Sequence, residues 1–168
     1  MGYTAEVAVS NDHLIVAQRV HQAPNDAGSL AAMAEEVERE CGQRPEAGLA
    51  DCGYYSMDQI QGVRDKGIEV YVPDPLMATE LSGGAAAPEM NCRQQKRVPG
   101  LKQMRERMRE PDARTAYQRR KELVELVFGV LKQQRGMRQF RCRGLVGVGV
   151  EWALAATAFN LTRLFALQ

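Results

Sequence analysis

Apolar runs and polar breaks alternate at regular intervals along the first 73 residues. Two apolar runs within residues 3–22 are separated by Ser10, Asn11 and Asp12, and this arrangement predicts a β-hairpin. Apolar residues at helical spacing, with acidic residues on the other face, predict a helix over residues 24–42. Gly42 is the expected end of that helix, because glycine readily adopts the left-handed conformation that terminates helices.

The next segments repeat a strand–helix–strand order. Residues 47–51 and 68–73 are short apolar runs that predict strands, and residues 57–67 predict a helix ended by glycine. This order is typical of a right-handed crossover in a partly parallel sheet, so the fold class is α/β. Asp51 then falls at the carboxyl end of a strand, where such sheets gather their functional groups.

Periodicity is lost after residue 73 and returns after residue 111. Residues 74–111 are rich in Pro, Gly and Ala, and we expect an irregular insertion or linker there. A helix is predicted over residues 112–140, with Asp112 as its cap and Gly136 as a stop. A final helix follows from about Leu145. The predicted organisation is therefore three segments, residues 1–73, 74–111 and 112–168.

The final apolar stretch, residues 144–165, is long enough to cross a membrane. Glu151 lies near its middle, and Asn160 and Arg163 follow. Because a charged group is costly in the centre of a bilayer, we interpret the stretch as a buried core helix and expect no membrane partner.

Charge is distributed unevenly although the net charge is only +1. Residues 1–92 hold 5 Lys and Arg against 15 Asp and Glu, whereas residues 93–143 hold 16 against 5. A basic block of this kind indicates a polyanion such as nucleic acid, and the alternative is a solvated surface paired with the acidic half. The four cysteines lack metal-site spacing and no signal peptide is visible, which predicts free thiols and a cytoplasmic location.

Two acidic residues are candidates for chemistry. Asp51 is either a turn residue or a metal ligand at a strand end. Glu125 precedes Lys132 by seven residues, which puts both on one face of an α-helix. The alternative for that pair is an ordinary surface ion pair.

Three motifs in this order resemble the insertion-sequence transposases of the Asp-Asp-Glu (DDE) type, which have a ribonuclease H-like fold. They are "LADCGYYS" at residues 49–56, "VELVFGVLKQQRG" at residues 124–136 and "GVEWALAATAFNLTRL" at residues 149–164. The family text is similar to "ADAGYYS", "VEPVFGxxKxxRG" and "EWALxxxAxNLxxL". The resemblance extends from about Tyr3 to Leu164 and is loosest over residues 74–111.

The resemblance implies roles for individual residues. Asp51 corresponds to the second catalytic carboxylate and Glu125 to the third, and both are implied ligands of Mg²⁺ or Mn²⁺. Lys121 lies four positions before Glu125 and faces the same way, so it can substitute for Arg120. Cys52 and Leu126 depart from the family text without touching a ligand. The implied DNA- or phosphate-binding residues are Tyr117, Arg120, Lys121, Lys132 and Arg135.

The resemblance also implies metal-dependent cleavage and transfer of DNA strands in transposition. The partner implied for the chain is DNA at the ends of the mobile element, and a homodimer is possible. The implied location is the bacterial cytoplasm, associated with the nucleoid. The chemistry needs paired metal ions held by converging carboxylates.

The first aspartate of the family has no clear counterpart. Asp12 falls in the predicted hairpin turn, and Asp26 is assigned to capping. We therefore expect a fold that is incomplete at its N-terminus, where the first catalytic strand is missing, and that ends in a C-terminal helix pair. Such a truncated chain is expected to be catalytically incompetent alone. The alternatives are a non-catalytic DNA-binding or regulatory remnant and an unrelated α/β domain.

Overall fold

The computed structural model describes residues 2–23, 28–98 and 100–167. In chain order the elements are β1 (Thr4–Val9), β2 (Ile15–His21), α1 (Ser29–Cys41), β3 (Ala47–Leu49), α2 (Met57–Asp65), β4 (Glu69–Tyr71), α3 (Pro75–Leu81), α4 (Cys92–Arg97), α5 (Leu101–Arg109), α6 (Pro111–Gly129) and α7 (Leu145–Ala166). A 3₁₀ turn covers Cys52–Tyr54, and a π-helical turn covers Val130–Gln134. This mixture of helices and short strands agrees with the predicted α/β class.

The chain forms two compact units that do not follow the three predicted consecutive segments. The first unit contains Met1–Pro24, Glu35–Gln43 and Lys121–Gln168, and the second contains Asn25–Ala34 and Arg44–Arg120. Both α1 and α6 run from one unit into the other. Asp26 lies outside the described residues, so its capping role stays a prediction.

The first unit is built on the predicted hairpin. Strands β1 and β2 pair antiparallel, with Glu6 opposite Arg19 and Ala8 opposite Ala17. The turn closes through a hydrogen bond from the Ser10 N–H to the Leu14 carbonyl at 2.8 Å. The hairpin prediction is confirmed, with Asp12 in the turn.

Helix α7 packs against this hairpin with one face. The apolar core contains Ile15, Val127, Leu131, Trp152, Ala155, Ala156 and Phe159. The opposite face of α7 is exposed, including Val146 (84%), Leu154 (67%) and Phe165 (76%). The prediction of a buried core helix is therefore wrong for the exposed face and agrees with the structure only on the face that packs against the hairpin. By length and composition alone α7 could cross a membrane, a weak indicator that core helices of soluble proteins also satisfy.

The second unit contains the predicted crossover. Strands β3 and β4 pair in parallel, with Ala47 opposite Glu69 and Leu49 opposite Tyr71, and α2 connects them. Helix α2 ends just before Gly67, which has a φ of 81°. The described strands form two separate two-stranded sheets, β1–β2 and β3–β4. The predicted parallel pairing is therefore confirmed, but the parallel sheet contains two strands and does not include the hairpin.

The expectation of an irregular segment over residues 74–111 is wrong, because α3, α4 and α5 occupy it. Asp74 caps α3 by accepting a hydrogen bond from the Leu76 N–H at 3.2 Å, and Pro75 takes the first helical position. Helix α5 buries Met104 and Met108 at i,i+4 spacing in the core of the second unit. These helices are only six to nine residues long and are separated by stretches that contain Pro and Gly, so the helical spacing of Met104 and Met108 was not recognised from the sequence.

Helix α6 and its continuation also differ in detail from the prediction. The helix begins at Pro111, so Asp112 lies within the first turn, and its side chain forms an ion pair with Arg107 at 3.0 Å. The α-helix ends at Gly129 and continues as the π-helical turn, and Gly136 follows with a φ of 69°. The stop at Gly136 is confirmed, whereas the helix over 112–140 is shorter than predicted.

Candidate functional site

Asp51 follows β3 by two residues and begins the 3₁₀ turn. Its Oδ1 accepts a hydrogen bond from the Cys52 N–H at 2.8 Å, which is the capping role of a turn aspartate. The side chain nevertheless remains 55% exposed. Asp51 therefore acts as a turn residue and stays a candidate metal ligand, because a capping carboxylate with this exposure still presents its second oxygen to solvent.

Tyr117 and Arg120 of α6 both reach Asp51 within the second unit. The Tyr117 hydroxyl donates to Asp51 Oδ1 at 3.4 Å, and Arg120 Nη1 lies 3.6 Å from Asp51 Oδ2. The Arg120 guanidinium also stands over the Tyr117 ring, 4.8 Å from its centroid, in a cation–π arrangement. Tyr117 and Asp51 are 66 positions apart in the sequence, so only the fold brings them together.

The protonation states in this cluster follow from burial. Burial, reinforced by the Asp51 charge, raises the pKa of Tyr117 to about 12 although Arg120 opposes the shift. The hydroxyl therefore stays protonated at neutral pH and donates to Asp51. Burial and the neighbouring Asp51 also raise the pKa of the Cys52 thiol, so this cysteine is a thiol and not a reactive thiolate.

The Arg120 side chain has unused donors. Its Nε is buried and has no hydrogen-bond partner among the described residues, and the 3.6 Å contact to Asp51 is an ion pair that is too long for a hydrogen bond. A buried guanidinium nitrogen without an acceptor is unfavourable unless another group supplies one. The chemistry of the cluster therefore fits an anionic oxygen beside Arg120.

Glu125 lies on α6 in the first unit, with Lys121 as its ion partner. Lys121 Nζ is 3.8 Å from Glu125 Oε1, and both side chains are largely exposed. This contact agrees with the predicted common face of Lys121 and Glu125. Asp51 belongs to the second unit and Glu125 to the first, so the sharing of a metal ion by these carboxylates stays a prediction.

Lys132 and Arg135 fall in and just after the π-helical turn. This turn interrupts the α-helical spacing on which the common face of Glu125 and Lys132 depends. Lys132 Nζ stands 5.1 Å from the centroid of the Phe128 ring. Arg135 Nη2 donates to the Ala158 carbonyl at 2.9 Å and to Thr162 Oγ1 at 2.6 Å, which ties the end of the turn to α7.

A comparison with known families identifies the C-terminal part of the chain. Residues 87–165, just under half of the sequence, match the model of the transposase DDE domain. This part of the chain is similar to the transposase DDE domain. The family predicted from the three motifs is confirmed. No curated protein and no solved structure matches the chain.

The transposase DDE match covers most of the predicted site residues. Asp51 precedes the matched residues, and its contacts with Tyr117 and Arg120 connect it to them. The matched site residues are Tyr117, Arg120, Lys121, Glu125, Lys132 and Arg135.

The chemistry of the donors fits the divalent metal of a DDE domain only in part. Asp51 and Glu125 offer carboxylate oxygens, the ligand type that Mg²⁺ prefers. Within residues 2–23, 28–98 and 100–167, however, no group of three or more His, Cys, Asp or Glu side chains could hold a metal ion. A two-ion site needs more ligands than these two carboxylates, so we derive no step that passes through a metal.

The basic block is not uniformly available to a polyanion. Arg105 is 7% exposed and forms a double hydrogen bond with Asp74, both at 2.8 Å. Arg107 pairs with Glu69 at 2.9 Å, and Arg109 pairs with Glu80 at 2.8 Å. The hydrogen bond from Arg109, together with the Ala87 N–H, lowers the pKa of Glu80 to about 2, so the pair is charged at neutral pH. The alternative of pairing with the acidic half therefore holds for α5.

The arginines that follow the π-helical turn were missed by the site assignment. Arg138, Arg141 and Arg143 are exposed, and the sequence contains no Asp or Glu between Glu125 and Glu151. This acid-free interval was the signal that could have separated them from the ion-paired arginines of α5.

Proposed function

We propose that this chain acts on DNA as part of a DDE transposase, with the ribonuclease H-like fold of that family. The contact of Tyr117 and Arg120 with Asp51 is the observation that carries the proposal. Tyr117 and Arg120 of α6, to which the resemblance gives phosphate-binding roles, both contact the exposed carboxylate of Asp51 near the end of β3. The implied location is the bacterial cytoplasm at the nucleoid.

Arg120 is the residue that we expect to bind a phosphate. Its loose ion pair with Asp51 leaves the Nη1 end of the guanidinium able to donate to phosphate oxygens, to which a guanidinium is well matched in shape. Tyr117 holds the Asp51 carboxylate by a hydrogen bond and supports Arg120 through its ring. Lys121, Lys132 and Arg135 add positive charge for neighbouring phosphates.

Asp51 and Glu125 are the proposed ligands of Mg²⁺ or Mn²⁺. A bound metal ion would supply Lewis-acid stabilisation of the phosphate oxygens. Two carboxylates are too few for tight binding of a pair of ions, so we expect weak metal binding and little strand cleavage by the 168-residue chain.

The activity test uses supercoiled plasmid incubated with the full chain and Mg²⁺ or Mn²⁺. Asp51→Asn and Glu125→Gln remove the proposed ligand charges, while Asp58→Asn and Glu122→Gln are controls at other exposed acids of α2 and α6. We expect nicking close to that of a protein-free sample for every variant. Robust nicking that only Asp51→Asn and Glu125→Gln abolish would contradict the expected incompetence and establish an active DDE enzyme.

A second candidate function is a non-catalytic DNA-binding or regulatory protein. The lack of a three-acid group among the described residues favours it. DNA binding that is lost at high salt, is the same in Asp51→Asn and Glu125→Gln, and occurs without nicking would support this second function. Failure of the wild-type chain to bind duplex DNA at low salt would reject both functions.

A further inference from the structure

The segment from Lys132 to Arg143 carries five cations and no acid. They are Lys132, Arg135, Arg138, Arg141 and Arg143, and all five are exposed. Within the described ranges none of the five has a carboxylate within ion-pair distance, in contrast to the arginines of α5. Arg138 Nη2 donates a hydrogen bond to Oε1 of the neutral Gln133 at 2.6 Å. We call residues 132–143 the basic segment.

The backbone of the basic segment is fastened to the first unit. Phe140 packs edge-on against Trp152, with ring centroids 6.0 Å apart, and against Tyr3 at 6.3 Å. The Arg141 and Cys142 N–H groups donate to the Glu151 carboxylate at 3.0 Å and 2.9 Å. These hydrogen bonds lower the pKa of Glu151, so its carboxylate stays charged at neutral pH and keeps the segment in place.

The apolar residues of the segment face the core, whereas the cations face solvent. Met137 and Phe140 pack against the cluster that contains Trp152 and Phe159. A polyanion would therefore meet cations and neutral polar residues along this segment, and no acid of the segment itself. Because the backbone is held in advance, binding need not order the loop, which reduces its entropic cost.

We infer that the basic segment is the surface that binds the phosphate backbone of DNA without regard to sequence, in place of the whole basic block. The inference rests on the proposed DNA function and deepens it by naming Arg138, Arg141 and Arg143 as phosphate contacts. Arginine suits this role because its planar fork can bind two phosphate oxygens. Within the segment, Met137 and Phe140 pack against the core, so the segment itself offers a membrane charge and little apolar surface, and the vesicle arm of the test addresses that alternative.

The test is the salt dependence of binding to a fluorescein-labelled duplex of mixed sequence, measured by anisotropy on the full chain. The test variant is the triple Arg138→Gln, Arg141→Gln and Arg143→Gln. The matched control, Arg93→Gln, Lys102→Gln and Arg114→Gln, removes three exposed cations from the second unit. A third variant, the triple Arg138→Lys, Arg141→Lys and Arg143→Lys, keeps the charge and serves as a rescue.

We expect the test variant to bind about tenfold or more weakly at low salt, because each lost phosphate contact removes about one released counterion. The slope of log affinity against log salt should become shallower by about 2 to 3. The control should keep the wild-type slope, and the lysine variant should recover most of it. Far-ultraviolet circular dichroism and thermal melting check that all variants are folded.

An unchanged slope in the test variant, or an equal loss in the control, would overturn the inference while leaving the proposed DNA function intact. Absence of DNA binding by the wild-type chain would overturn both. Vesicles of phosphatidylglycerol provide the remaining arm. If the test variant loses vesicle binding but keeps its DNA affinity, the segment is a membrane contact and the inference is wrong.

Discussion

Two arginines on α5, four positions apart, show how surroundings decide the value of the same ion pair. Arg105 is 7% exposed and bonds both oxygens of Asp74, while its Nη1 donates to the Pro88 carbonyl at 2.9 Å. Arg109 bonds Glu80 with similar distances, but its side chain is 41% exposed. Removal of one partner of a buried pair leaves an uncompensated charge, whereas an exposed pair contributes little.

We expect Arg105→Met to lower the free energy of unfolding by about 3–5 kcal/mol, because it leaves the Asp74 carboxylate buried without its partner. Arg109→Met is the matched control and should cost about 1 kcal/mol or less. Urea denaturation followed by circular dichroism measures both. Equal losses in the two variants would show that burial does not distinguish these pairs.

At the scale of elements, polar groups within the apolar helix α7 fix it to the hairpin. Asn160 Oδ1 accepts from the Ile15 N–H at 2.8 Å, and Asn160 Nδ2 donates to the Ile15 carbonyl at 2.8 Å. Trp152 Nε1 donates to the Glu6 carbonyl at 3.2 Å. Ile15 is 7% exposed, so its backbone groups have little access to water. The side chain of Asn160 thus takes the place of a neighbouring strand for β2.

Asn160→Leu should lower the free energy of unfolding by about 2–4 kcal/mol, because it leaves a buried donor and a buried acceptor unpaired. Thr157→Val changes an exposed residue one turn earlier, whose hydroxyl bonds the Ala153 carbonyl within α7, and should cost about 0.5 kcal/mol or less. Hydrogen exchange at the Ile15 amide gives a local readout. An Ile15 amide that stays protected from exchange in Asn160→Leu would contradict the role of the Asn160 hydrogen bonds.

At the scale of the whole molecule, net charge is a poor guide to the interaction with DNA. The value of +1 is the sum of an acidic first half and a basic block of 16 Lys and Arg with 5 Asp and Glu. Ion pairs of α5 neutralise part of this block, and the basic segment retains five exposed cations. The number of phosphate contacts therefore depends on which cations have acidic neighbours.

The wild-type chain is expected to bind duplex DNA with a log–log salt slope of about −4 to −5, since five contacts release about 0.9 counterion each. A slope of about −14 would instead indicate that all sixteen cations of the block contact phosphate. The same anisotropy titration, carried out at several salt concentrations, measures the value. The steeper slope would mean that the ion pairs of α5 open when DNA binds.

The sequence by itself determined the features that depend on neighbouring residues. The hairpin, the strand–helix–strand unit and the helix stops at Gly42 and Gly136 follow from local periodicity and from glycine conformation, and the motifs around Asp51 and Glu125 indicated the transposase family. The local pattern of residues 74–111 did not predict α3 and α5. The contact between Arg105 and Asp74, which are distant in sequence, stabilises both helices.

Only the tertiary structure decided which residues meet and which are covered. The contact of Tyr117 with Asp51, the pairing of Arg109 with Glu80 and the clamp of Asn160 on Ile15 join positions 66, 29 and 145 residues apart. Only one face of α7 is buried, although its apolar residues are distributed around the whole helix. Burial and ion pairing depend on the segments that pack beside a residue, and local sequence does not encode those neighbours.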